Sequence, residues 1–252
     1  MTNNGTQPGA PATSVVPPTS KLPAPSGLSN ALTEQEGFLL AAVRRFRENL
    51  GEDHQTSAAQ WLLDNYYVVQ QTQRQMREDM PAGFYRRLPK LTAGPLQGYT
   101  RIYSIARELV AARGGLIDAN GIEHIAQVIR SYSGDSASPA APAAIAIAEL
   151  WALPVMLRLC IVQCLSQSAC RVVEISSEGS LPAIPLPGEL KDEQGVANAI
   201  LSLRALAVQD WRDFFENVSQ VEHILREDPG GVYASMDMET RDHYRKVIER
   251  LA

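Results

Sequence analysis

Two short stretches of this 252-residue chain concentrate side chains able to do chemistry. In Asp79 to Lys90, the residues Phe84, Tyr85, Arg86, Arg87 and Lys90 crowd into one turn bounded by Pro81 and Pro89. Aromatic faces of that kind stack on a sugar ring, and guanidinium forks grip acidic groups. The competing reading of the same turn is an elbow between helices whose aromatics plug the core. In Glu149 to Arg158, the residues Glu149, Trp151 and Arg158 interrupt an otherwise apolar run around Pro154. An unpaired charge is expensive to bury, so each is expected to find a partner within the protein or across an interface. All eight side chains are candidates for ligand or interdomain contact.

The familiar catalytic patterns do not accompany them. Neither G-x-G-x-x-G nor G-x-x-x-x-G-K-[ST] occurs, which excludes nucleotide cradling by those loops, and G-x-S-x-G is absent as well. His54, His124, His223 and His243 lie far apart, and none sits three or four residues from another His or Cys, so no metal site is expected. Carboxylate pairs such as Glu78 with Asp79, or Asp228 with Asp237, are accounted for by helix caps and solvated faces. No catalytic residue is assigned and no cofactor is expected.

The wider composition narrows the class. A net charge of -5 and a pI near 5.5 remove the general electrostatic reason to expect nucleic acid, which needs a Lys/Arg surplus. Of three cysteines, Cys160 and Cys164 lie in an apolar run, as buried thiols of a reducing compartment do, and a disulfide framework is not expected. Met1 to Asn30 lacks a basic segment followed by an apolar one, so no cleaved secretory signal is read and a cytoplasmic location is expected. Residues 144–165 are long and apolar enough to span a bilayer, but Glu149, Arg158 and Pro154 fall inside them. A buried core helix is the expectation, with no membrane span in this chain.

The elements that must position the candidate residues read as helices throughout. Residues 1–31, rich in Pro, Ser and Thr, are expected to form a disordered tail. A helical module is expected over 32–175, a polar, proline-bearing and mobile loop over 176–195, and a helical segment packed on the module over 196–252. Leu62, Tyr66, Val69, Gln73, Met76 and Met80 recur at helical spacing as one apolar stripe with Gln73 its single polar member. Gly114-Gly115 should stop the helix carrying Tyr99, Ile102, Ala106 and Leu109, with Asp118 or Asn120 capping the next. These two helices are expected to fold back as an antiparallel hairpin. Arg171 to Ile175 reads as a short extended piece. A break is expected near Asn217 to Ser219, and Asp237 should cap a last helix with Tyr244, Val247, Ile248 and Leu251 on one side. The fold class is therefore all-α, a bundle of antiparallel helical hairpins.

Four segments also carry a resemblance: Trp61 to Leu91, Gly94 to Val110, Glu149 to Arg158 and Asp210 to Lys246, somewhat over a third of the chain. In their order and their placement of aromatics, prolines and charges they resemble the N-terminal region of bacterial cyclic beta-1,2-glucan synthases, very large inner-membrane enzymes. The residues before Leu32 and from Ser166 to Gly195 share no such pattern. The resemblance implies a parent assembly that polymerises glucose from UDP-glucose, sets chain length with a glycoside phosphorylase-like domain and closes the glucan into a ring. It implies catalytic domains downstream of this region, so no catalytic residue is carried over.

Together these readings make the chain a non-catalytic helical module, or a truncated product, of such a synthase. It would be cytoplasmic and peripheral to the inner membrane, with the synthase's downstream domains as partners. The alternative is a stand-alone helical binding or adaptor protein that holds a glucan or a nucleotide-sugar through Tyr85, Arg86, Arg87 and Lys90. An isolated module is further expected to self-associate through an uncovered apolar patch.

Overall fold

The computed structural model describes residues 27–48, 56–79, 83–132 and 144–251. Among these the regular structure is helical apart from a single bridge between Lys90 and Thr100. The predicted Met80 and Pro81 lie outside the described residues.

The fold is organised around one helix, α5 (Ile147–Val172), buried along nearly its whole length. Apolar side chains on all its faces explain why its sequence shows no amphipathic rhythm: a helix surrounded on every side has no solvent face to mark. Around it pack α1 (Gly27–Glu48), α2 (Ser57–Glu78), α3 (Arg101–Ala112) and α6 (Asp192–Val208). By length and composition α5 could cross a membrane, and 89% of its most apolar window is buried against these neighbours. Its approach to α6 is close enough that a Cβ added at Gly195 would lie 3.1 Å from the Ser168 Cβ.

Local chemistry sets the ends. Thr56 caps α2 through a bond from the Ala59 N–H (3.3 Å), and Leu62, Val69, Gln73 and Met76 of the predicted stripe are buried. Helix α1 begins at Gly27, ahead of Leu32, where its periodicity first shows in the sequence. Gly114 and Gly115 stop α3 with φ of 57° and 79°, conformations open to glycine without a Cβ clash. Asp118 caps α4 (Ala119–Ser131) by accepting the Gly121 N–H at 2.8 Å.

The α3–α4 hairpin does not form as expected. Ile117, fully buried, donates its N–H to Ser202 Oγ on α6 (2.7 Å), so the connection is pinned to α6. Helix α4 packs chiefly on α7 (Trp211–Val218), while α3 lies along α5. Arg171 to Ile175 is likewise corrected: α5 continues to Val172 and ends in a turn through Glu174, whose φ is 56°.

The segment between α5 and α6, expected to be mobile, is tied to the helices around residues 180–184. Ser180 bonds Glu34 through its N–H (2.7 Å) and its hydroxyl (2.6 Å), and its carbonyl accepts from the Tyr99 hydroxyl (3.0 Å). The Pro182 carbonyl accepts from Gln163 (2.9 Å), and Ile184 is buried. Helix α6 starts at Asp192, earlier than Val196.

The C-terminal helices close the fold. The expected break falls at Ser219, which caps α8 (Gln220–Arg226), and a second break at Gln209-Asp210 separates α6 from α7. A single turn, α9 (Val232–Ser235), leads to α10 (Met238–Leu251), where Asp237 accepts the Thr240 N–H at 2.9 Å. Helix α10 turns Arg241 and Arg245, not Tyr244 and Ile248, toward the protein. Those arginines meet Glu222, fully buried, which also accepts from Arg226 (2.8 Å) and from the Tyr233 hydroxyl (2.6 Å).

Candidate functional site

The two chemically dense stretches, distant in sequence, converge on one cleft of about 370 Å³. The end of α2 supplies Gln75 and Asp79, the turn after it Phe84, the first half of α5 Trp151, Pro154, Val155 and Arg158, and α7 Trp211 and Phe215. Positions 151, 154, 155 and 158 follow the three-and-four spacing of one helix face, which is why α5 presents them together.

The aromatic residues of the wall pack on one another. Trp151, 37% exposed, packs its ring on Phe215 with centroids 4.5 Å apart. Trp211 leans on Phe214 (5.4 Å) and Phe215 (6.3 Å), and its indole N–H donates to the Leu206 carbonyl at 3.3 Å. Phe84 meets Tyr85 edge to face at 5.2 Å. Tyr85 and Leu88 are buried, so the turn plugs the core with these two while Phe84 faces the cleft.

Arg158 is the polar floor. It is 5% exposed, and its guanidinium lies 3.6 Å from Asp79 Oδ2 and donates to the Leu206 carbonyl at 3.4 Å. Both separations exceed the about 2.7–2.9 Å of a close charge-assisted hydrogen bond. Burial pulls the guanidinium below its ordinary value, and the Asp79 carboxylate opposes that pull. Burial also raises the Tyr85 phenol, with Asp79 adding to the effect, so Tyr85 stays neutral at physiological pH.

Glu149 and Arg158 are both paired within the protein, though not with each other. The fully buried Glu149 carboxylate takes a two-pronged contact from Arg101 of α3, with Nε to Oε1 at 2.9 Å, and accepts the Ala146 N–H at 3.1 Å. The hydrogen bond to Glu149 raises the Arg101 guanidinium and so keeps it protonated. Glu149 thus locks the start of α5 against α3 and does not reach the cleft lining.

Of the predicted residues, Phe84, Trp151 and Arg158 share the cleft, with Tyr85 packed behind Phe84. Arg86, Arg87 and Lys90 lie on the exposed surface beside it. The sequence reading missed Trp211 and Phe215 as lining residues; their spacing of four with apolar Phe214 between them was the available signal. It also missed the Glu222 network, hinted at by Arg226 four residues on and by Arg241 and Arg245 four apart. Among the described residues no group of three or more His, Cys, Asp or Glu side chains comes together as a metal set.

No family model matches the sequence. The chain is, however, similar to the cyclic beta-(1,2)-glucan synthase NdvB of Rhizobium meliloti (strain 1021), at 26% identity over 266 residues. The two are distantly related. The similarity covers 78% of this chain but 9% of that protein, so the chain spans less than a tenth of the relative's length. Every residue lining the cleft falls within three of the segments that carry the resemblance: Trp61 to Leu91, Glu149 to Arg158 and Asp210 to Lys246.

Proposed function

We propose that this chain is a non-catalytic helical module of a cyclic beta-1,2-glucan synthase-type assembly, cytoplasmic and peripheral to the inner membrane, which packs against the assembly's catalytic parts. The observation that carries this reading is the reach of the similarity: most of this chain aligns with a small part of a far longer glucan synthase. The buried Arg101–Glu149 and Glu222 networks support it, because they fix the helices rather than offer reactive groups. The buried thiols point the same way: desolvation lifts Cys164 to about 12 and Cys170 to about 11, which withholds them as nucleophiles.

Fractionation of source cells with an antibody to this chain tests the proposal. The antigen is expected to sediment with membranes and to track the incorporation of glucose from UDP-glucose into beta-1,2-glucan through successive separation steps. An antigen confined to the soluble fraction, with synthase activity elsewhere, overturns it.

A further inference from the structure

We propose that the cleft between α2, α5 and α7 is a binding site for a neutral glucose unit of a beta-1,2-linked gluco-oligosaccharide, with Trp151 and Trp211 as stacking platforms and Arg158, Asp79 and Gln75 as the hydroxyl-bonding set. The choice of glucan rests on the function proposed above; the choice of a neutral sugar rests on the cleft itself.

Three observations select that ligand class. The first is the cleft's make-up, mostly aromatic and apolar wall with a few convergent polar groups, which is the make-up of a small-molecule site. A pyranose has the matching anatomy: its C–H face lies on an aromatic ring while its rim of hydroxyls reaches polar side chains. Trp151 stays 37% exposed in the cleft while its ring tilts against Phe215, and the Trp211 indole N–H is already committed to Leu206, leaving its ring as the contact surface.

The second is the state of Arg158. A guanidinium has five N–H donors, and this one, more than nine-tenths buried, lines the cleft with its partners at 3.4 and 3.6 Å. A buried cation held so loosely retains donor capacity directed at whatever fills the space. The third is Asp79, whose carboxylate is 45% exposed. It repels a phosphate or carboxylate from the same space that Arg158 would otherwise attract. A sugar hydroxyl satisfies both, accepting from Arg158 and donating to Asp79, and Gln75 can do either. An anionic nucleotide-sugar does not meet that pairing.

The test is titration of the intact chain with linear beta-1,2-gluco-oligosaccharides, read by calorimetry and by tryptophan fluorescence, since Trp151 and Trp211 both line the cleft. Saturable binding is expected, weakened about tenfold by Trp151→Ala. That residue sits at the rim, and unchanged circular dichroism and melting temperature would show the variant folded. Trp211→Phe, which keeps the packing on α7 while shrinking the platform, is expected to weaken binding by a smaller factor. Any of four results overturns the proposal: no saturation with the intact chain, equal affinity in wild type and Trp151→Ala, equal affinity for alpha-1,4-linked gluco-oligosaccharides, or binding of UDP-glucose with none of the neutral glucan. None of these bears on whether the chain fractionates with synthase activity, so the two proposals fail separately.

Discussion

Replacing Arg101 by methionine isolates the cost of a buried carboxylate in this fold. Methionine keeps most of the apolar stem and removes only the guanidinium. Glu149 is fully buried and would then retain one recorded donor, the Ala146 N–H at 3.1 Å. Removing one partner of a buried ion pair costs about 3–5 kcal/mol, because the other charge is left uncompensated. In a protein of this size that lowers the melting temperature by about 10 °C. The double variant Arg101→Met/Glu149→Leu exchanges the whole pair for apolar groups and is expected to lie within about 1 kcal/mol of wild type.

Urea unfolding followed by helical circular dichroism measures both variants. A deficit below about 1 kcal/mol at neutral pH with an unchanged denaturant slope, or a double variant as unstable as the single one, would refute the reasoning.

Other expectations follow from the same structure. Gly195→Ala places a methyl against Ser168 where α5 and α6 approach, 3.1 Å from its Cβ, and should destabilise by about 1–3 kcal/mol in urea unfolding. The three buried thiols, Cys160, Cys164 and Cys170, should resist a thiol reagent at neutral pH and react together once the chain is unfolded in concentrated guanidinium chloride. Burial would raise Glu222, but bonds from Tyr233 and Arg226 and the nearby Arg245 outweigh it and hold its carboxyl below the usual range. A depressed acid stabilises above its unfolded pKa of about 4.3 and loses that stability as pH falls through the folded value. Acid unfolding should therefore steepen below about pH 4, and Glu222→Gln should flatten part of that slope.

What the sequence revealed was what local chemistry controls. The α2 stripe, the glycine stop at Gly114-Gly115, and the caps at Asp118 and Asp237 depend on residues within a few positions of one another, and the structure reproduces them. Helix α5 carries no periodic signal, being buried all round, so nothing in its sequence told which helix lies against which face. Helix α10 misleads for a different reason. Its apolar stripe suggested a packing face, but Glu222 needs cations and draws Arg241 and Arg245 inward instead.

The cleft was half legible. Phe84, Trp151 and Arg158 stood out because each is chemically conspicuous where it sits. Their meeting with Trp211 and Phe215 depends on α5 and α7 packing together, a long-range event without a local marker. The same holds for the segment around Ser180, which reads as a free polar loop and is fixed by Glu34 and Tyr99, distant in the chain.

Immunodepletion tests the central claim most directly. Detergent-solubilised membranes from the source cells are passed over an antibody to this chain, and both bound and unbound fractions are assayed for glucose incorporation from UDP-glucose into beta-1,2-glucan. Purified chain alone serves as the control. The activity should leave with the antigen, and the purified chain should make no glucan. Full activity in the unbound fraction after complete removal of the antigen, or glucan made by the purified chain by itself, would contradict the proposal that this protein is a non-catalytic module of a glucan synthase.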